Sequence, residues 1–150
     1  MLAHIALIYD LVRIDRLVFV ELRQAPTVTA LGALRVELAA AREAAARPLV
    51  LVARIPPDAE PVSDAMRAHM AAYGRYVAPL CAEIHMVVET PGFRGAILRS
   101  AITASALLSR ERNLTVHRRL AYALDAARQR LEREWHADVD ALLAAHPSAA

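Results

Sequence analysis

The stretch Pro48-Leu49-Val50-Leu51-Val52-Ala53-Arg54-Ile55 constrains this chain more than any other. It is a continuous apolar run of strand length, the pattern of a strand buried on both faces. Such strands lie at the centre of parallel sheets covered by helices. An α/β fold is therefore expected, with this segment at the heart of the sheet.

The flanking sequence supplies the rest. Ile5 to Val12 and Leu17 to Leu22 are rich in β-branched and aromatic residues and are separated by Arg13, Asp15 and Arg16, which predicts an antiparallel hairpin. Gln24-Ala25-Pro26-Thr27 breaks that pattern. Thr27 is a plausible N-cap for a helix carrying Leu31, Leu34, Leu38 and Ala41 and running to about Arg47. After the irregular Pro56-Pro57-Asp58-Ala59-Glu60-Pro61, a second helix shows Met66, Met70, Tyr73, Val77 and Leu80 in steps of three and four. Ile84 to Glu89 reads as a strand, Arg94 to Arg110 as a helix, and Leu114-Thr115-Val116 as a short last strand. A final helix starts near Arg118. Its apolar spacing through Leu120, Leu124, Ala127 and Leu131 continues into Trp135, Val139 and Leu142. The expected order is β-β-α-β-α-β-α-β-α, a single mixed sheet with an N-terminal antiparallel hairpin followed by three strand-helix units, the later strands parallel through right-handed crossovers. Residues 1–133 form the predicted domain, and 134–150 a C-terminal helical extension with a short flexible tail.

At 150 residues, one domain is the default. An apolar content of 57% is enough to offset chain entropy, so a folded chain is expected. All 18 basic residues are arginine, which excludes a Schiff-base lysine and a phosphate-loop lysine. A net charge of +2, with arginines and carboxylates interleaved, gives no nucleic-acid footprint. The lone Cys81 makes no internal disulfide, which suits a reducing compartment, and a cytoplasmic location is expected. The N-terminal apolar run lacks a cationic lead and is cut by Asp10, so it reads as a strand and not a signal peptide; no run is long enough for a membrane span.

This element order, with the hairpin at Ile5 to Leu22 and strand-helix units starting at Leu49, Ile84 and Leu114, resembles the STAS-like domains of bacterial anti-sigma factor antagonists. The likeness covers about residues 4–133. The stretches Gln24 to Thr27, Ile84 to Glu89 and Gly92 to Ser100 look like a divergent group of such domains. The resemblance implies a signalling role through protein-protein interaction. It also implies a phosphorylatable serine at the start of the helix after the central strand, and the matching place is Pro61-Val62-Ser63-Asp64. Here a proline-rich loop stands where the family pattern has an acidic residue, a serine or threonine, and a glycine.

Read from chemistry alone, Ser63 is either a candidate phospho-acceptor at a helix N-terminus or simply its N-cap. The turn Thr90, Gly92, Phe93, Arg94 follows a strand of the sheet, where open α/β sheets bind ligands, and Arg94 is suited to clamp an anion; a tight connector needs no ligand. Six scattered histidines lack metal-ligand spacing, and no Gly-x-Ser-x-Gly elbow is present, so neither metal, cofactor nor enzymatic activity is expected. His85 and His117 read as structural hydrogen-bonding residues, and Cys81, at the end of the second helix, as buried packing.

The third helix puts Ile97, Ala101, Ala104 and Leu108 on one stripe, while Leu98, Ile102 and Leu107 widen the apolar surface. One stripe is expected to cover the sheet and the remainder to meet a subunit or partner. If residues 118 to 145 form one helix of about 40 Å, it overhangs the sheet. Trp135, Val139 and Leu142 would then pack on a second subunit, with a homodimer the expected state. The alternative is a tail folded back on its own sheet. The leading expectation is a non-enzymatic STAS-like regulatory or scaffolding domain that self-associates or docks a regulatory partner. The rival is a carrier of a small apolar or acyl ligand lined by Met66, Met70, Tyr73, Ile97 and Leu98. A third reading is an enzyme using Arg94 and His117.

Overall fold

The computed structural model describes residues 8–58, 63–108, 110–132, 135, 139 and 140. Five strands form one mixed sheet in the order β1-β2-β3-β4-β5: β1 Tyr9–Ile14, β2 Leu17–Leu22, β3 Leu49–Ile55, β4 Cys81–Val88 and β5 Leu114–His117. Strands β1 and β2 pair antiparallel, and the remaining neighbours pair parallel. Among the described residues, four α-helices of three turns or more accompany them: α1 Val28–Ala45, α2 Asp64–Val77, α3 Gly92–Leu108 and α4 Leu120–Leu131. The α/β fold and its single mixed sheet are thus as the sequence implied. The predicted first strand at Ile5 to Val12 is displaced to Tyr9–Ile14, with residues 5 to 7 outside the described part.

Strand β3 is buried at every position and sits in the middle of the sheet. Its alternate residues feed two cores. Leu49, Leu51 and Ala53 join Val18, Val20 and Ile84 beneath Leu34, Leu38 and Ala41 of α1 and Val77 of α2. Val50 and Val52 join Leu17, Phe19 and Val87 beneath Leu120, Ala123, Leu124, Ala127 and Leu131 of α4. The absence of polar alternation in the sequence follows directly, because both faces are covered. Thr27 caps α1, its hydroxyl accepting from the Ala30 amide at 3.1 Å.

Three sequence expectations change. The second helix ends at Val77, and Ala78–Leu80 form a 3-10 turn with Pro79 inside it, so Cys81 opens β4 instead of closing the helix. The thiol is buried, and burial pushes its pKa up to about 12, which makes it inert as a nucleophile. His117 closes β5 and does not open the last helix, which begins at Leu120.

The third change concerns the C-terminus. Helix α4 stops at Leu131, and Glu132 adopts φ 44°, turning the chain off the helix axis. Val139 returns to the core at 2% exposure, packed with Leu17, Val50 and Leu131, and Trp135 lies against the same cluster. The Trp135 indole donates to Asp140 at 2.7 Å, and the Arg128 guanidinium stands over its ring. A single helix over residues 118 to 145 is therefore not formed: among the described residues α4 ends at Leu131, Val139 is buried in the chain's own core and Trp135 is half-buried against it, so these two side chains are not left for a second subunit. Leu142 lies outside the described residues.

Candidate functional site

Helix α3 is held to the body by polar contacts and close approach more than by apolar burial. Gly92 enters it with φ 67°, a conformation that favours glycine. Gly95 lies so near the Thr90 carbonyl that a Cβ would meet its oxygen at 1.7 Å. Arg99 donates to the carbonyls of Val88 at 3.0 Å and Thr90 at 3.2 Å, tying the helix to the end of β4. Only Gly95 and Ala106 are buried in α3, with Leu98 and Ile102 half-buried. The stripe of Ile97, Ala101, Ala104 and Leu108 faces outward. The stripe read from the spacing is turned to solvent, Leu98 and Ile102 of the widened surface are half-buried, Leu107 is exposed, and it is Gly95 that meets the Thr90 carbonyl.

The result is an exposed apolar flank. Phe93 is 82% exposed, Ile97 53%, Leu107 74% and Leu108 87%. No carboxylate occurs anywhere between Gly92 and Arg110.

The other sequence candidates separate. Ser63 is exposed and caps α2, its hydroxyl accepting from the Met66 amide at 3.2 Å. Of the candidate turn, Thr90 is buried and its hydroxyl has no hydrogen-bond partner among the described residues, whereas Gly92, Phe93 and Arg94 are exposed on the first turn of α3. Met66 and Met70 are half-buried on α2, and Tyr73 packs against the core beneath it. Neither of the two cavities found includes Met66, Met70, Tyr73, Ile97 or Leu98, and neither joins Arg94 to His117.

A second place was not assembled from sequence. The register shift between Leu49 and Val50 on β3 pairs them with Cys81 and Glu83, so one residue of β4 bulges. The bulge lets Cys81 point into the core under α1 and α2, and Glu83, two residues on, line the space beside α4. There Glu83, His85 and Thr115, with Arg112, Asn113, Gln129, Arg130 and Glu132, line an open polar cavity of about 530 Å³. The Glu83 carboxylate meets His85 Nε2 at 2.9 Å, and His85 Nδ1 meets His117 Nε2 at 3.0 Å. Since a carboxylate only accepts, His85 Nε2 carries a proton in this contact, and a single proton bridges His85 Nδ1 and His117 Nε2. Period-two polarity along β4 and β5 was the available signal, but pairing His85 with His117 requires the strand register.

Burial, and then the neighbouring His85, lower the His117 pKa below its usual value. A lowered histidine contributes stability that is present above the unfolded pKa of about 6.5 and lost as pH falls through the folded value. Acidification is therefore expected to destabilise the wild type more steeply than His117→Gln. The difference in urea midpoints, followed from neutral pH to about pH 5, checks this. Using the difference removes the opposing contribution of Glu111, whose pKa burial raises against a smaller lowering by Arg75. Parallel midpoints for the two proteins across that range would contradict the assignment.

Among the described residues, no group of three or more His, Cys, Asp or Glu side chains is arranged to hold a metal ion, and no helix is long and apolar enough to cross a membrane. No family model, no curated protein and no solved structure matches the chain.

Proposed function

We propose that this protein is a non-enzymatic interaction domain of STAS-like kind that works by docking another protein surface against α3. The observation that carries the reading is the outward apolar flank of that helix, with Phe93, Ile97, Leu107 and Leu108 each more than half exposed. In water these side chains forgo burial worth roughly 1.5–3 kcal/mol each, and a docked surface recovers it. The helix is fixed in that orientation by Gly95 and Arg99, so the flank is presented ready-formed and association costs little ordering. The STAS-like part of the proposal rests on the element order and on the mixed sheet with its leading antiparallel pair. The carrier reading gains nothing from the two cavities, the larger of which is polar-walled.

A photo-crosslinking residue placed at Ile97 tests the docking role in the protein's native cells. Adducts at Ile97, and none at a still more exposed position on α1 such as Val36, are expected. Equal labelling at the two positions, or no adduct at either, overturns the reading.

A further inference from the structure

We propose that the two cavities at the amino ends of β4 and β5 form one binding site for a phosphorylated sugar, with the phosphate among Arg75, Arg110 and Arg112 and the hydroxyl-bearing part beside Glu83 and Gln129. Such a site goes beyond the docking role and does not depend on it. The cavities measure about 530 and 450 Å³, and Arg112 and Asn113 line both. Each volume lies within the roughly 300–1,000 Å³ of small-molecule sites.

Charge divides the two halves. Three guanidiniums and one carboxylate surround the smaller cavity, over a wall of Ala78 and Pro79. Arg75 comes from the last turn of α2, and Arg110 and Arg112 from the loop after α3. The carboxylate, Glu111, lies against Gly74, where a Cβ would meet its oxygen at 3.1 Å, and Arg75 offsets its charge. The side chains of Arg110 and Arg112 have no hydrogen bond or ion pair among the described residues. Guanidiniums placed in this way suit a phosphate, whose oxygens take paired N–H donors. The loop that carries them is held in place, because the Asn113 side-chain amide donates to the Ala78 carbonyl at 3.1 Å and to the Cys81 carbonyl at 3.0 Å.

The larger cavity balances its charges, Arg112 and Arg130 against Glu83 and Glu132, and in its lining only Ala126 lacks a hydrogen-bonding side chain. That wall suits a neutral group dense in hydroxyls, each of which both donates and accepts. Glu83 is set for such a partner. One of its oxygens is held by His85, a side chain only 5% exposed, while the other faces Arg130 at 4.0 Å, beyond hydrogen-bond reach. No Phe, Tyr or Trp lines either cavity, so a nucleobase finds no aromatic ring to stack on, and a sugar phosphate fits better than a nucleotide.

Calorimetric titration of the full chain with ribose 5-phosphate and with glucose 6-phosphate tests the site. At least one should bind with Kd below about 1 mM, and inorganic phosphate and the free sugars at least about tenfold more weakly. Arg110→Gly separates the site from the fold. Arg110 stands at φ 58°, a conformation that favours glycine, so the variant should keep or raise the urea midpoint while weakening the sugar phosphate about tenfold or more. Gln129→Ala, at an exposed position on α4, should weaken the sugar phosphate and leave inorganic phosphate unchanged. No binding of either sugar phosphate at about 10 mM overturns the proposal, as does inorganic phosphate that binds as tightly, which would mark an adventitious ion only. Sugar-phosphate affinity unchanged in either variant overturns the placement. Adenosine 5′-monophosphate binding more than about tenfold tighter than ribose 5-phosphate would put a nucleotide in place of the sugar phosphate.

Discussion

Gly95→Ala is expected to release α3 from the body of the protein. In an ordinary helix interior the change gains about 1 kcal/mol, because alanine has the higher helix propensity. Here the new Cβ would lie 1.7 Å from the Thr90 carbonyl oxygen, a backbone atom that cannot swing away. The first turn of α3 must move, and with it the two Arg99 hydrogen bonds to the carbonyls of Val88 and Thr90. Overpacking costs about 1–3 kcal/mol, and loss of the Arg99 bonds adds to it, so a total near 3 kcal/mol is expected. Because α3 buries little apolar surface of its own, the penalty should appear as local opening. Amide exchange in α3 should accelerate about a hundredfold while β3 keeps its protection. Gly32→Ala is the control: its Cβ meets nothing within 4 Å, and it should stabilise by about 1 kcal/mol. Exchange in α3 that is the same in both variants would mean the close approach at Thr90 is not what seats the helix.

The second large effect is expected at Arg54. Its side chain is 10% exposed and lies between two carboxylates, with Nε donating to Glu89 at 2.6 Å and a terminal nitrogen donating to Glu21 at 2.8 Å. Glu21 reaches it from β2, where the two residues are register partners, and Glu89 from just beyond β4. The three residues therefore clamp the carboxyl ends of the central strands. Arg54→Met keeps the stem but leaves two partly buried carboxylates facing each other without their cation. Removing one partner of a buried ion pair costs about 3–5 kcal/mol; with Glu21 and Glu89 partly wet, about 3 kcal/mol is expected from denaturant unfolding. Adding Glu21→Gln and Glu89→Gln at neutral pH should return most of the loss, since the destabilisation comes from uncompensated charge and not from lost packing. A loss under about 0.5 kcal/mol, the size seen at plain surface sites, would show that the clamp contributes nothing.

Arg54 also shows where sequence reading stopped. Its place in the apolar run Leu49–Ile55 announced a buried strand, and the strand is buried, but its two carboxylate partners come from 33 and 35 residues away and needed the sheet register to be seen. The same limit hid Glu83, His85 and His117 as a connected chain, even though the two histidines were recognised as hydrogen-bonding residues.

What the sequence determined by itself is what local chemistry controls. The unbroken apolar run placed β3 at the centre. Residue spacing identified α1, α2 and the apolar stripe of α3 with its widening, and the side-chain oxygens of Thr27 and Ser63 marked where α1 and α2 begin. Periodicity measures how many apolar faces a helix has, but carries no information on which of them turns inward. That choice was made by distant atoms. The Val88 and Thr90 carbonyls both accept from Arg99 and the Thr90 carbonyl abuts Gly95, so Ile97 and Leu108 point away from the sheet. The C-terminus follows the same logic: the spacing of Leu131, Trp135 and Val139 fits a continuing helix and a folded-back tail equally well. The structure decides between them by burying Val139 in the cluster that holds Leu17, Val50 and Leu131.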